Sequence, residues 1–351
     1  MRSFCDWYAE HIYSHIANLM GRLTAPVPFA LGEILMYLAA LFVLATPVVL
    51  VICLVRKRRN KKASVFLRRW LKSFCITLAV FLFLYLFNWF IPLCGNVMGQ
   101  AGHRTGFTTE ELRLLRNYLV EQINTAAEQC ERDENGILIF PEEEERYEQI
   151  AAAMQGISDE YPRLAGFYPQ PKKALCSDVL DWMGIGGYTY PYTLEVTWNK
   201  YVTRLYSYSL LTHEQAHHKG FYKENEANFI SYLACAKSGE PLLVYAGSLD
   251  LYSYITFTLY EELVAVYGKE RAKEILMSQP VLSDLVDFDR EQQQEEADAR
   301  YEEDDHPLQA MDEQIAEVST GGWETQDKLL GENNYDGVVV LALEYYTGIL
   351  Y

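Results

Sequence analysis

The chain has 351 residues, half of them hydrophobic and 14% aromatic, with a net charge of −18 and an isoelectric point of about 4.9. That is enough apolar side chain for a sizeable core, and the acidic balance excludes a nucleic-acid partner, because phosphate binding needs a basic surface. Of the seven cysteines, only Cys130, Cys176 and Cys235 fall in the polar part of the chain; an odd, widely spaced set excludes a disulfide framework and a cysteine-based zinc site.

Residues 3–23 place Trp7, Tyr8, Ile12, Ile16, Leu19 and Met20 at helical spacing, an amphipathic pattern suited to a membrane surface. No apolar core leads into a small-residue cleavage site, so this is not a signal peptide. His11 and His15 are four residues apart here but lack an acidic companion, and no metal role is expected of them.

Ile34 to Val55 runs 22 residues without a charge, long enough to span a bilayer. Pro47 is tolerated there if neighbouring helices satisfy the freed backbone groups. Nine basic residues and no acidic ones follow between Arg56 and Lys72, and then a second uncharged run, Ser73 to Val97. This predicts a two-helix transmembrane hairpin with spans at about 34–55 and 73–97. The positive-inside rule puts the loop 56–72 in the cytoplasm. Residues 98–351, with 19 basic and 45 acidic side chains and a net charge of −26, then form an extracytoplasmic domain. The expected division is 1–97 for the amphipathic helix and hairpin, and 98–351 for the domain.

In that domain, Thr108-Thr109-Glu110-Glu111 is a capping-box signal for a helix to about Glu128. Pro141-Glu142-Glu143-Glu144-Glu145-Arg146 opens another, with acids near the positive helix end. Ala174 to Met183 fits a short helix or a strand. Tyr188 to Asn199 is rich in β-formers. In zinc peptidases an extended edge strand can take a substrate peptide as an added strand, which makes Tyr192, Glu195 and Val196 candidate substrate contacts.

Thr203 to His218 reads as a helix closed by Gly220. It carries His213-Glu214-Gln215-Ala216-His217, an H-E-x-x-H pattern. On a helix the two histidines share one face, one turn apart. They can bind one Zn2+, with Glu214 as general base for the water that the ion activates. His218 and Lys219 lie off that face and are expected to meet solvent. A catalytic zinc needs a third protein ligand. The next helical run opens with Glu224-Asn225-Glu226-Ala227-Asn228; Glu224 is preferred, with Asn228 one turn later to hydrogen-bond a ligand imidazole, and Glu226 is the alternative. Pro241 to Val266 is a helix that continues in kind to Gln279. Glu291 to Asp305, with eight acids, is expected to be exposed and mobile, and Gly337 to Leu350 to be a closing helix too short to span a membrane.

Together, Tyr13-Ser14, Ala25-Pro26-Val27-Pro28-Phe29, the double span, Gly184-Ile185-Gly186-Gly187, Tyr190-Pro191-Tyr192-Thr193-Leu194-Glu195, Thr212 to Phe221 and Glu224 to Phe229 resemble a bacterial family of membrane-anchored proteins. That family is a domain of unknown function with a gluzincin-type zinc motif. The resemblance implies a zinc metallopeptidase without naming a substrate. The Glu-x-x-Ala-Asn pattern from Glu224 is similar to the third-ligand helix of other short zinc peptidases. The chain departs from the pattern before Glu195, where glycine is expected and Leu194 stands.

The sequence therefore predicts a mainly α fold (α+β), with a membrane hairpin and a zincin-like, mostly helical domain holding a small β element. It predicts a cell-membrane, multi-pass enzyme with Zn2+ as cofactor and an extracytoplasmic peptide or protein as substrate. The alternative is a non-catalytic zinc-containing membrane receptor or scaffold, for which Glu214 has no use.

Overall fold

A computed structural model describes residues 2–57, 61–95, 98, 106–303 and 334–351. The fold is mostly helical with one small sheet. The N-terminal segment is α1 (Arg2–Tyr8), a π-helical stretch Ala9–Tyr13, and α2 (Ser14–Thr24). Two long helices follow, α3 (Leu31–Lys57) and α4 (Lys61–Tyr85), the second extended by a π-helical turn Leu86–Phe90 and by α5 (Ile91–Leu93). They pack on each other as a hairpin. Leu31–Arg56 and Lys62–Leu93 are long and apolar enough to cross a membrane. The second apolar helix thus begins before Ser73 and reaches Leu93, absorbing Arg68, Arg69 and Lys72 into its first turns; residues 96–97 of the expected span lie outside the described residues.

The domain begins with α6 (Thr109–Gln129), whose capping box is complete: the Glu111 amide donates to Thr108 Oγ1 at 3.2 Å, and the Thr108 amide donates to Glu111 Oε2 at 2.9 Å. Leu112, Leu115, Leu119 and Ile123 form its fully buried stripe, at the three- and four-residue spacing that keeps one helix face inward. That stripe packs on α11 (Pro241–Tyr267). On this pair pack α9 (Tyr206–His218), α10 (Glu224–Lys237), α12 (Lys269–Met277), α13 (Asp284–Glu303) and α14 (Asn334–Tyr346), with α7 (Glu143–Gly156) against α9 and α10, and the short α8 (Ser177–Trp182) between β1 and β2 in the chain.

The acidic stretch from Glu291 is exposed or half-exposed through residue 299 and, through Glu303, belongs to α13. Its helix is anchored by Val286 and Asp289, which share one face and are buried. Asp289 accepts both guanidinium arms of Arg132 at 2.7 and 2.8 Å and the Tyr245 hydroxyl at 2.9 Å. A buried, bidentate ion pair of this kind fixes a helix that composition alone leaves free. Residues 304 and 305 lie outside the described residues.

The β-rich stretch Tyr188 to Asn199 is not one strand. Three short strands, β1 (Lys172–Lys173), β2 (Gly187–Thr189) and β3 (Val196–Trp198), form a sheet of order β1-β3-β2, with β1 parallel and β2 antiparallel to β3. Val196 is therefore on the central strand and buried, and Glu195 is buried beside it. Tyr192 lies in the connecting turn, its ring 4.7 Å from that of Phe81 in α4. These placements correct the assignment of Tyr192, Glu195 and Val196 to a substrate strand. The edge strands are β1 and β2.

Glu195 has a different task. Its carboxylate accepts the amides of Leu31 and Gly32 at 3.1 and 2.7 Å, the Thr193 hydroxyl at 2.7 Å and Lys172 Nζ at 2.5 Å. A carboxylate at the N-terminus of α3 satisfies the free amides of the first turn and meets the positive end of the helix dipole. In the same turn, buried Glu33 accepts the amides of Leu175 and Cys176, just after β1, each at 2.8 Å. The first apolar helix is thus latched to the domain at both carboxylates. Leu194, beside Glu195, has φ +54°, where a left-handed backbone costs about 1–2 kcal/mol; its fully buried side chain packs with Tyr8, Tyr13, Leu93 and Tyr222, which offsets that cost. Glu195→Ala should lower thermal stability strongly, by about 3–5 kcal/mol, because it leaves Lys172 buried without its counter-charge. An unchanged unfolding midpoint in detergent would contradict the latch.

Candidate metal centre

α9 is covered on all sides, by α10, α11, α7, β2 and β3, so nearly every residue from Ser207 to His218 is buried. It ends in a Schellman motif: the Gly220 amide bonds the His217 carbonyl at 2.9 Å, and the Phe221 amide bonds the Ala216 carbonyl at 3.1 Å. Gly220 has φ +90°, and a Cβ there would also lie 2.9 Å from the Tyr13 ring, so only glycine suits both the reversal and the neighbour. The reversal turns the chain back so that α10 begins beside the two histidines.

The structure brings together His213, Glu214, His217 and Glu224. The Glu224 carboxylate reaches both imidazoles, with Oε2 at 3.2 Å from His213 Nε2 and Oε1 at 3.5 Å from His217 Nε2. A tetrahedral zinc with bonds of about 2.0–2.1 Å has ligand atoms about 3.3–3.4 Å apart, so these spacings fit one ion. The ligand atoms of His213, Glu214 and His217 also cluster within 4.8 Å. Among the described acids, Glu224 faces both Nε2 atoms at contact distance, as a third ligand would, while Glu214 Oε2 lies 3.1 Å from the Thr189 hydroxyl. Glu226, two residues on, projects from the opposite side of α10. It is buried, and its charge acts on Arg163.

His217 Nδ1 lies 2.7 Å from the Phe221 carbonyl. A carbonyl only accepts, so Nδ1 carries the hydrogen and Nε2 keeps its lone pair for a metal. Asn228, expected to orient an imidazole, instead donates to the Tyr254 hydroxyl at 3.3 Å; the backbone carbonyl has taken that role, and no residue identity announces a backbone acceptor. Burial pulls the His217 pKa down, but the Glu224 carboxylate outweighs it and holds it up at about 9. Glu224 is the mirror case: burial opposes its charge, yet the paired histidines keep it well below the usual carboxylate range. Glu214 is pushed up by burial, against the pull of both histidines.

β2 supplies the other wall. The Thr189 hydroxyl lies 2.8 Å from the Glu214 carbonyl and 3.1 Å from Glu214 Oε2. At Gly187 a Cβ would sit 3.1 Å from Glu214 Cγ, so glycine lets this strand approach the carboxylate closely. Two residues escaped the sequence reading: Thr189, and Asp250 of α11, whose carboxyl burial pushes up to about 6 and on which His213 acts in the opposite sense. An isolated aspartate in an aromatic helix carries no spacing signal.

His218 and Lys219 do not face solvent; both are buried. His218 Nδ1 bonds the Leu194 carbonyl at 2.8 Å, and the His218 carbonyl accepts the Tyr13 hydroxyl at 3.1 Å. Lys219 Nζ donates to Asn18 Oδ1 at 3.2 Å and to the carbonyls of Ala165 and Phe167 at 3.1 and 2.9 Å. The expectation failed because it treated α9 as a surface helix, whereas α2 and the sheet cover its outer face. These bonds also tie the N-terminal segment to the domain across the expected boundary at 97.

Comparison with curated proteins and with solved structures gives no match. Residues 8–317 match one family across nearly the whole chain, the two long apolar helices and the His213–Glu224 cluster included. The chain belongs to the family described as "Protein of unknown function (DUF3810)".

Proposed function

We propose that this protein is a membrane-anchored zinc metallopeptidase, with the hairpin loop in the cytoplasm and the site outside it. The observation that carries this reading is a single carboxylate, Glu224, in contact with both Nε2 atoms of an H-E-x-x-H pair. His213, His217 and Glu224 hold the metal. Zinc bound there supplies Lewis acidity that polarises a carbonyl and acidifies water. Glu214, outside the ligand set, takes a proton from the attacking water and passes it to the leaving amine. Thr189 orients its carboxylate. β2, which pairs only with β3 among the described residues, offers its second edge to an extended substrate. A purely structural zinc site usually closes with four protein ligands and has no use for a buried general base.

Chelator dialysis of the purified protein should abolish peptide hydrolysis, and one equivalent of zinc should restore it. Glu224→Gln should weaken zinc binding by about two orders of magnitude or more, since it removes the one anionic ligand of three. Glu226→Gln should leave zinc affinity unchanged. A loss confined to the Glu226 variant would reverse the ligand assignment.

A further inference from the structure

The metal centre is built directly against the parts of the chain that meet lipid. From one side, α1 and α2 bury Tyr8, Tyr13 and Ala17 against the domain, where Tyr13 bonds His218 and Tyr222, and Asn18 bonds Lys219. Their opposite face leaves Phe4, Trp7, Leu19 and Leu23 exposed, interleaved with exposed Glu10, His11, His15 and Arg22 as in an interfacial helix, and followed by Phe29 just before α3. Between Ser3 and Thr24 only Asp6, Glu10 and Arg22 carry full charges. From the other side, the Tyr222 ring lies nearly parallel to His217, at 6.0 Å and 13°, and edge-on to Trp89, at 6.2 Å. Trp89 belongs to the last turns of the second apolar helix, Lys62–Leu93. Two aromatic rings therefore separate a metal ligand from the end of a membrane-length helix.

Tryptophan at the end of a span sits at headgroup level. An exposed apolar helix face that runs on in sequence into a membrane-length helix is matched by the acyl–headgroup boundary. We infer, resting on the zinc-peptidase reading, that the α1–α2 face is seated in the phospholipid surface and that the substrate is a membrane-anchored polypeptide cut close to its anchor. About four residues of extended chain bridge a gap of two ring-to-ring steps. A tethered substrate with a short stalk is presented at high effective concentration, which falls roughly as the −3/2 power of stalk length.

The test uses the full chain reconstituted in phosphatidylcholine–phosphatidylglycerol vesicles, with a randomised hexapeptide library as probe in three forms. One is joined to a single apolar transmembrane helix through a spacer of about 4 Gly/Ser residues, one through a spacer of about 40, and one is free; mass spectrometry reads cleavage against a Glu214→Gln background. The tenfold difference in spacer length predicts about thirtyfold faster cleavage of the short-spacer form, with the free form slower again. A Leu19→Glu/Leu23→Glu double variant should slow the short-spacer reaction and leave free-peptide cleavage unchanged. Equal rates for the two spacers, free peptide cut as fast as the short-spacer form, or equal slowing of every form in the double variant would overturn this inference and leave the peptidase reading standing. No Glu214-dependent cleavage in any form would overturn the peptidase reading, and this inference with it.

Discussion

Glu214→Gln should bind zinc as the wild type does, unfold at the same temperature, and lose peptide hydrolysis by about 10²–10⁴-fold, the usual worth of a positioned general base. The amide keeps the volume of the buried carboxylate and can still accept the Thr189 hydrogen bond, which at 3.1 Å meets Oε2. It cannot take up a proton. Glu214 is buried at 4% exposure, so the isosteric change isolates proton transfer from packing. Activity within tenfold of wild type would remove Glu214 from the chemistry. Loss of zinc along with activity would make it a ligand, as its place within the 4.8 Å cluster also permits.

The chemistry was legible wherever it rests on helical spacing. His213 and His217 share a face because α9 is a helix, and Gly220 marks its end because only glycine suits the reversal there. The nearness of Glu224 was legible too, since a short reversal brings the next helix alongside. The preference for Glu224 over Glu226 rested on Asn228 as an imidazole partner, a reason that does not hold, because the choice depends on the rotation of α10 against α9. The errors share one physical origin, the omission of tertiary cover. His218 and Lys219 looked solvent-facing on an isolated helix, but α2 and the Leu194 carbonyl enclose them. Glu195 looked like a strand residue and proved to cap a membrane-length helix more than 160 positions earlier in the chain. The acidic residues from Glu291 carried no helix signal, and through Glu303 they continue a helix that one buried aspartate with its arginine anchors. Leu194 was visible as a departure from the family pattern, and its positive φ supplies the reason that glycine is expected there.

The largest effect expected of a single side chain is the loss of the metal itself. His217 is buried, its Nδ1 proton is fixed on the Phe221 carbonyl, and its Nε2 faces Glu224. Removing it leaves two ligands, fewer than a catalytic zinc site requires. Metal analysis of the purified full chain, wild type beside His217→Ala, with folding of both verified by circular dichroism, tests the central claim most directly. One zinc per wild-type chain and less than about a tenth of that in the folded variant, as expected when a ligand of a three-residue site is lost, is the predicted result. Equal zinc in both proteins would contradict the metal centre, and the function built on it.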